Sequence, residues 1–334
     1  MQARRTSLKL IYEGTDISDD IAPDLLSFEY TDNESGKPDD INVTLYDGNT
    51  KWAGPWLPTK GDTLKATIID TQDTQSTELY CGTFFIDEIE SSGPPSVFKI
   101  KGVSVPINNS IRRDKKTKAW EDSSLSEIAG AISSEAGLEL FFDVNTDPNH
   151  DRIDQREESN LAFLNRLCEN EAFSLKVADN KIIIFSQQKF EQGAPVFTIK
   201  KGDSQLLSYS FKSQAFDLYK QCTVSYLDPD TQEVITHTAT DPNVTEGQKT
   251  KIVKRASSFA EAKRLAEAEL RRRNKYEVAA NFELKGSTEI VAGVVFKAEG
   301  FGKFDNNYII EDARHSVNNG YTLSITARRT TELN

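Results

Sequence analysis

Few residue groups in this chain have types and spacing that could do chemistry. Two cationic runs stand out: Arg112 to Lys118, with Arg112, Arg113, Lys115, Lys116 and Lys118 within seven positions, and the triplet Arg271, Arg272 and Arg273. Such runs attract phosphate backbones or acidic protein surfaces. Three histidines, His150, His237 and His315, could act as general bases or metal ligands. Cys81, Cys168 and Cys222 could act as nucleophiles or zinc ligands, and 52 acidic residues could supply the paired carboxylates of glycoside hydrolysis.

Most of this potential is dispersed. The histidines fall in a turn, a hairpin and a strand, whereas a metal or catalytic site needs convergent groups. The cysteines are odd in number, form no CxxC pair, and sit in the apolar runs "LYCGTFF", "LNRLCEN" and "KQCTVSY". That context predicts buried, reduced thiols. The aspartates of "GTDISDDIAPD" and "KPDD" lack the ligand order of a calcium loop and read as solvated turn residues. Phosphate-loop, dinucleotide, HExxH and nucleophile-elbow motifs are absent. The expectation is a chain without catalytic residues, cofactor or metal, the alternative being an enzyme whose catalytic carboxylates hide among ordinary acids.

Charge weighs against nucleic acid. The net charge is −12, and it is uneven: nine basic against eighteen acidic residues in 1–106, eleven against fifteen in 107–190, and twenty against nineteen in 191–334. A phosphate-binding surface needs the opposite balance. The run at Arg112 has only Trp120 for base stacking, so it reads as a charged connector. No stretch of about 18 apolar residues could span a bilayer, and the N-terminus lacks the apolar core of a secretory signal. We expect no stable nucleic-acid or membrane binding, and folding in the cytoplasm.

The elements that would position these residues divide the chain into three. From Ser7 to Val105, period-2 strands recur at "SLKLIY", Leu26/Phe28/Tyr30, Ile41/Val43/Leu45, Leu64/Ala66/Ile68, Phe84/Ile86 and Phe98/Ile100. About six strands in a hundred residues predict a β-barrel or sandwich over 1–106. The segment 107–194 reads as a small α/β domain. It holds a capping box at Ser124 and Glu127, an apolar stripe of Leu125, Ile128, Ala129 and Ile132, and a stop at Gly137. A second helix places Leu161, Leu164, Leu167 and Cys168 on one face, before two strands turning at Asp179 and Asn180. Over 195–334 strands return as hairpins in "CTVSYLDPDTQEVITHTAT" and "NNYIIEDARHSVNNGYTLSITARR". One long helix over about 257–275 interrupts them, with Phe259, Ala262, Ala266 and Leu270 at helical spacing. Its triple arginine complements a helix C-terminus without any ligand.

Several segments together resemble the late control protein D family. They include "GTDISDDIAPDLLSFEYTDN", "LYCGTFFIDEIESSGPPSVFKIKGVSVP", "TKAWEDSSLSEIAGAIS" and "DQREESNLAFLNRLCENEAFSLKVADNKIIIF". The family comprises central hub proteins of contractile phage-tail baseplates and of phage-tail-like bacteriocins, and is similar to the hub portion of type VI secretion spike proteins. The resemblance implies a mainly β fold with α+β parts: two tube-protein-like β-barrel domains, 1–106 and 195–334, and an intervening small α/β domain. It also implies a structural, non-enzymatic homotrimer that adapts a sixfold tail tube to a threefold membrane-piercing spike. Expected partners are itself, a trimeric spike protein, the tail tube protein and other baseplate components, in a particle assembled in the bacterial host cytoplasm. No lysozyme or peptidase module is expected. Arg112, Arg113, Lys115, Lys116, Arg271, Arg272 and Arg273 become candidate protein-interface residues, and the alternative is a tail-associated cell-wall-degrading enzyme.

An internal echo supports two copies of one barrel. "GDTLKA" (Gly61–Ala66) precedes "FFIDEI", as "GVVFKA" (Gly293–Ala298) precedes "YIIEDA". We expect Lys65 to match Lys297 and Asp87 to match Glu311, with "DTQDTQSTE" forming a longer loop in the first copy.

Overall fold

The computed structural model describes residues 4–72, 75–106, 110–214, 218–228, 231–256 and 258–331. Outside them lie the outer ends of the expected segments, residue 257 of the expected long helix, residues 73 and 74 of the polar loop, and 229 and 230 of the first hairpin turn. Strands account for 53% and helices for 17%, which agrees with a mainly β chain.

The chain opens with β1 (Arg5–Tyr12), β2 (Thr15–Asp16), the one-turn α1 (Ser18–Ile21), β3 (Leu25–Asn33), β4 (Asp40–Tyr46), β5 (Thr63–Gln72), β6 (Gln75–Ser92) and β7 (Val97–Val103). Alternation buries Phe28, Tyr30, Ile41, Val43, Leu45, Leu64, Ala66, Ile68, Phe84, Ile86, Phe98 and Ile100 in one core. Leu26 departs from the expected stripe and is 48% exposed. Its strand bulges between Leu25, opposite Leu45, and Ser27, opposite Thr44, and a bulge residue leaves the pleat.

Next come α2 (Ser110–Arg113), β8 (Lys115–Ser124), α3 (Leu125–Ala136), β9 (Glu139–Asp143), β10 (Asn149–Ser159), α4 (Asn160–Asn170), β11 (Phe173–Ala178), β12 (Lys181–Ser186) and α5 (Gln187–Glu191). The capping box at Ser124 starts α3 and left-handed Gly137 (φ 67°) ends it, as the sequence predicts. Helix α4 buries Phe163, Leu164, Leu167 and Cys168, with Leu161 only half-buried. Asp179 and Asn180 turn β11 into β12 with positive φ at both positions.

The last third begins with β13 (Phe197–Lys200) and β14 (Leu206–Ser213). It then forms a unit with its own core from β15 (Tyr219–Leu227), β16 (Val234–Thr240), β17 (Gln248–Ile252) and α6 (Phe259–Asn274). Ala262, Ala266 and Leu270 of α6 are buried there as expected, but Phe259 is 62% exposed, edge-on to His237. The chain closes with β18 (Val278–Lys285), β19 (Val295–Glu299), β20 (Asn306–Asn318) and β21 (Gly320–Arg329).

The first and last β units share one 13-stranded sheet, in which β20 pairs antiparallel with β3 from Asp312–Asn33 to Val317–Phe28. Each unit repeats one plan. The neighbour order β1-β5-β6-β7-β4-β3 recurs as β13-β19-β20-β21-β18-β14. The outermost pair departs from it, β1 being antiparallel to β5 and β13 parallel to β19.

The repeat holds to the residue. Lys65 stands opposite Thr83 as Lys297 stands opposite Asn307. Ile86 pairs with Gly102 as Ile310 pairs with Ala327, and the register then slips at Asp87 in one unit and Glu311 in the other. Gly61 donates its N–H to the Ile86 carbonyl at 2.8 Å, and Gly293 donates to the Ile310 carbonyl at 2.8 Å. Both glycines have positive φ, 94° and 80°, which L side chains rarely adopt. A second bulge, between Leu206 and Ser208, turns Leu207 outward (51% exposed) just as Leu26 is turned outward. The longer spacing in the first copy falls in the β5–β6 hairpin, but the expected polar loop is corrected: Asp70–Gln72 pair with Gln75–Thr77 as strand, so the extra length is a longer ladder.

Candidate functional site, a charged junction between the β units

The cationic runs part company in the structure. Arg112 and Arg113 are exposed on α2. Lys115 and Lys116 begin β8 and pair with Ser159 and Glu158 of β10, so the run that read as a connector is largely a strand. Lys116 pairs with Glu135, whose carboxyl it holds below its ordinary range, and Lys118 lies 3.5 Å from the Trp120 ring centroid.

Arg271, Arg272 and Arg273 divide by burial. Arg272 and Arg273 reach back to Glu269 at 2.9 and 2.7 Å, within the helix. Arg271 is 5% exposed and pairs with Glu191 of α5 at 2.5 Å. Glu191 also binds Arg328 of β21, which in turn reaches Glu311 at 3.1 Å. The backbone N–H of Thr331 donates to Glu191 at 3.1 Å. Burial pushes the Glu191 carboxyl up, but the Arg328 and Arg271 charges outweigh it and hold the group below its ordinary value. The dipole reading of the triplet therefore fails at Arg271, whose guanidinium locks α6, α5 and β21 together.

A second charged knot ties β11 to the turn between β3 and β4. Lys176 reaches Asp32 at 2.5 Å and Asp39 at 3.0 Å, all three being largely buried. Asp39 belongs to "KPDD" and is 3% exposed, which corrects its reading as a solvated turn residue. It also accepts the Asn33 N–H at 2.8 Å. Burial, and the like charge of Asp32, push the Asp39 carboxyl up to about 6 against the pull of Lys176. Asp32 accepts the Ala292 N–H at 2.8 Å, and Ser174 donates to Glu34 at 2.9 Å. Residues from all three sequence segments thus converge where β20 meets β3.

The histidines do not converge. His150 lies in β10 and His237 in β16, while His315 is fully buried in β20. The cysteines are buried and free, and burial pushes the Cys168 thiol up to about 12 and Cys222 to about 11. These groups are poor nucleophiles. The two buried knots around Glu191 and Lys176 hold residues of the three sequence segments against one another.

This joined double-β arrangement recurs in known proteins. The sequence family described as "Phage tail baseplate hub (GPD)" matches residues 106–321, more than half of the chain. The chain belongs to that family. Two curated "Probable baseplate hub protein" relatives, of Escherichia phages P2 and 186, are 28% and 25% identical over 176 and 183 residues. Each match covers 52% of this chain and 43% of the relative, so it spans under half of those relatives' length. Hub-family membership is carried by the α/β and second β units, and the first β unit is matched at the level of fold. The 43 kDa tail protein of prophage MuSo2 from Shewanella oneidensis has a TM-score of 0.73 at 14% identity, over 98% of this chain and 99% of that one. A tail protein from Neisseria meningitidis MC58 has a TM-score of 0.73 at 10% identity, over 97% and 96%. The E. coli c3393 protein, a type VI secretion component, has a TM-score of 0.58 at 13% identity, over 92% and 74%.

Proposed function

We propose that the chain is a structural, non-enzymatic baseplate hub that works as a homotrimer. The carrying observation is the internal repeat: two β units of one strand order and one register, fused through a single sheet. Three such chains present six near-equivalent β units around an axis, which suits a sixfold tail tube on one side and a threefold spike on the other. The buried Glu191 and Lys176 knots support this reading, because they hold the units of one chain rigidly enough to carry load. The proposed partners are a second and third copy, a trimeric spike, the tail tube protein and neighbouring baseplate components, in a phage tail or tail-like particle. The exposed Arg112 and Arg113 are candidate contacts between copies, where the acidic first third of a neighbour offers a complementary surface.

Native mass measurement tests the reading. A trimer is expected in the presence of the spike, and a persistent monomer there would count against it. Zymography on peptidoglycan separates the hub from a cell-wall-degrading enzyme, the hub giving no clearing.

A further inference from the structure

The two buried charged knots differ in one chemical respect. Around Glu191 the cations are guanidiniums, whereas the cation between β11 and the β3–β4 turn is the primary amine of Lys176, a nucleophile once it loses a proton. Lys176 Nζ lies 2.5 Å from Asp32 Oδ1 and 3.0 Å from Asp39 Oδ2, and it donates to the Asn33 carbonyl at 2.8 Å. The side chains of Lys176, Asp32 and Asp39 are 16%, 7% and 4% exposed. Lys189 approaches Asp143 at the same 2.5 Å, but there the side chains are 50% and 33% exposed and water solvates both charges.

The surroundings of the knot are dry. The charge of Asp32 acts on buried Tyr30, Cys81 and His315, and that of Asp39 on the first two. The second oxygen of Asp32, Oδ2, accepts the Ala292 N–H at 2.8 Å, in the manner of a donor that stabilises an oxyanion. Burial pushes the Asp39 carboxyl up to about 6, the range of a group that takes and returns a proton near neutral pH. Burial opposes the ammonium form of Lys176, but the Asp32 and Asp39 charges outweigh it and favour that form. The amine therefore becomes free only by passing a proton to those neighbours. A groove lined by Lys176, Ala292, Ile183 and Phe141 opens beside the knot and gives a small leaving group an exit.

We propose that Lys176 Nζ and Asp32 Cγ close an intramolecular isopeptide bond, with Asp39 as the proton carrier. The ammonium passes one proton to Asp32 Oδ1, which turns the ion pair into an amine facing a carboxylic acid. The nitrogen lone pair attacks Cγ, a C–N bond forms, and the charge that develops on Oδ2 is met by the Ala292 N–H. The nitrogen then gives a second proton to Asp39, which returns it to the Oδ1 hydroxyl. The Cγ–Oδ1 bond breaks and one water leaves. One ammonium and one carboxylate become one amide and one water, so atoms and charge balance without an oxidant, a metal or a cofactor. The driving force is local, because the amide replaces two desolvated charges. The bond ties β3 of the first β unit to β11 of the α/β domain across 144 positions, and it forms within a single folded chain whatever that chain assembles with.

Mass spectrometry of the folded, full-length chain is the test. The wild type is expected to weigh one water less than its sequence, to stay linked in denaturant, and to give a branched tryptic peptide that joins β3 to β11 and is uncut after Lys176. Lys176→Arg keeps the charge but offers no amine, and should show the full sequence mass. Asp39→Asn leaves Lys176 and Asp32 in place but removes the proton carrier. Chain recovered unfolded from inclusion bodies starts at the full mass, so refolding it times the step, and Asp39→Asn should link about a hundredfold more slowly than the wild type. Folded wild-type chain that keeps its full sequence mass overturns the proposal and leaves an ion pair only. A lost water that maps to any other residue overturns it as well, and linkage of Asp39→Asn at the wild-type rate overturns the role given to Asp39.

Discussion

His315 stands opposite Tyr30 where β20 meets β3, the two rings within 19° of parallel and their centroids 5.7 Å apart. Its Nδ1 lies 2.8 Å from the Tyr321 hydroxyl. Burial depresses the imidazole to about 4, from an ordinary 6.5. Between those values the unfolded chain binds more protons than the folded one, so stability is lost as pH falls from about 6.5 to about 4. The loss from this group amounts to roughly 3 kcal/mol. Urea denaturation across that window should show the slope in the wild type and a shallower one in His315→Asn. Equal slopes would assign the pH dependence elsewhere.

Glu191 neutralises two guanidiniums inside the protein, Arg271 and Arg328. Removing one member of a buried ion cluster strands the others without compensation, at a cost of about 3–5 kcal/mol. Glu191→Ala is expected in that range. Arg271→Gln should be comparable, whereas Arg272→Gln, at a half-exposed side chain, should cost under about 1 kcal/mol. Denaturant midpoints of the three variants check this, and near-equal costs for Arg271→Gln and Arg272→Gln would reduce the triplet to a helix-end effect.

Much of the fold is legible in the sequence because periodicity and caps are local signals. The Ser124 capping box, the Gly137 stop, the Asp179–Asn180 turn and the alternating strands through Ile100 all need only neighbouring residues. The echo at Lys65 and Lys297 is also visible, because a repeated strand keeps its glycine and its alternation. What escapes is whatever long-range geometry decides. Leu26 fits an apolar stripe, and only the pairing with β4 reveals the bulge that turns it outward. Asp39 sits in a proline-bearing polar turn, and nothing local announces Lys176, 137 positions later. Arg271 looks like its two neighbours until Glu191 approaches from α5. Interrupting a β unit with a helix is legible, but the separate core of Cys222, Val224 and Leu270 emerges from packing alone.

The three thiols offer a probe of cooperative unfolding. All are buried, and burial raises each above the ordinary thiol range. Cys168 belongs to the α/β core, Cys222 to the α6 core and Cys81 to the first β core. A thiol reagent at pH 8 should modify none of them in the native chain over the time in which it modifies all three in denaturant. Intermediate denaturant should expose Cys222 separately if the α6 unit opens on its own, which mass mapping of the modified peptides would resolve.

The last prediction tests the repeat through its two glycines. Gly61 and Gly293 occupy matching places, each with positive φ and each donating to the isoleucine carbonyl just before a bulge. An L side chain at such a φ carries a backbone penalty of about 1–2 kcal/mol. At Gly293 a Cβ would meet nothing closer than Glu34 Cγ at 3.8 Å, an ordinary contact, so the backbone term stands alone. Gly61→Ala and Gly293→Ala should therefore each destabilise the chain by about 1–2 kcal/mol. The sites lie in different β units and share no described partner, so the double variant should lose the sum within about 0.5 kcal/mol. Equal single costs that add would show that the two units impose one conformation at one place. A Gly61→Ala variant as stable as the wild type would mean that the first unit relaxes where the second cannot, and the equivalence of the two turns would fail.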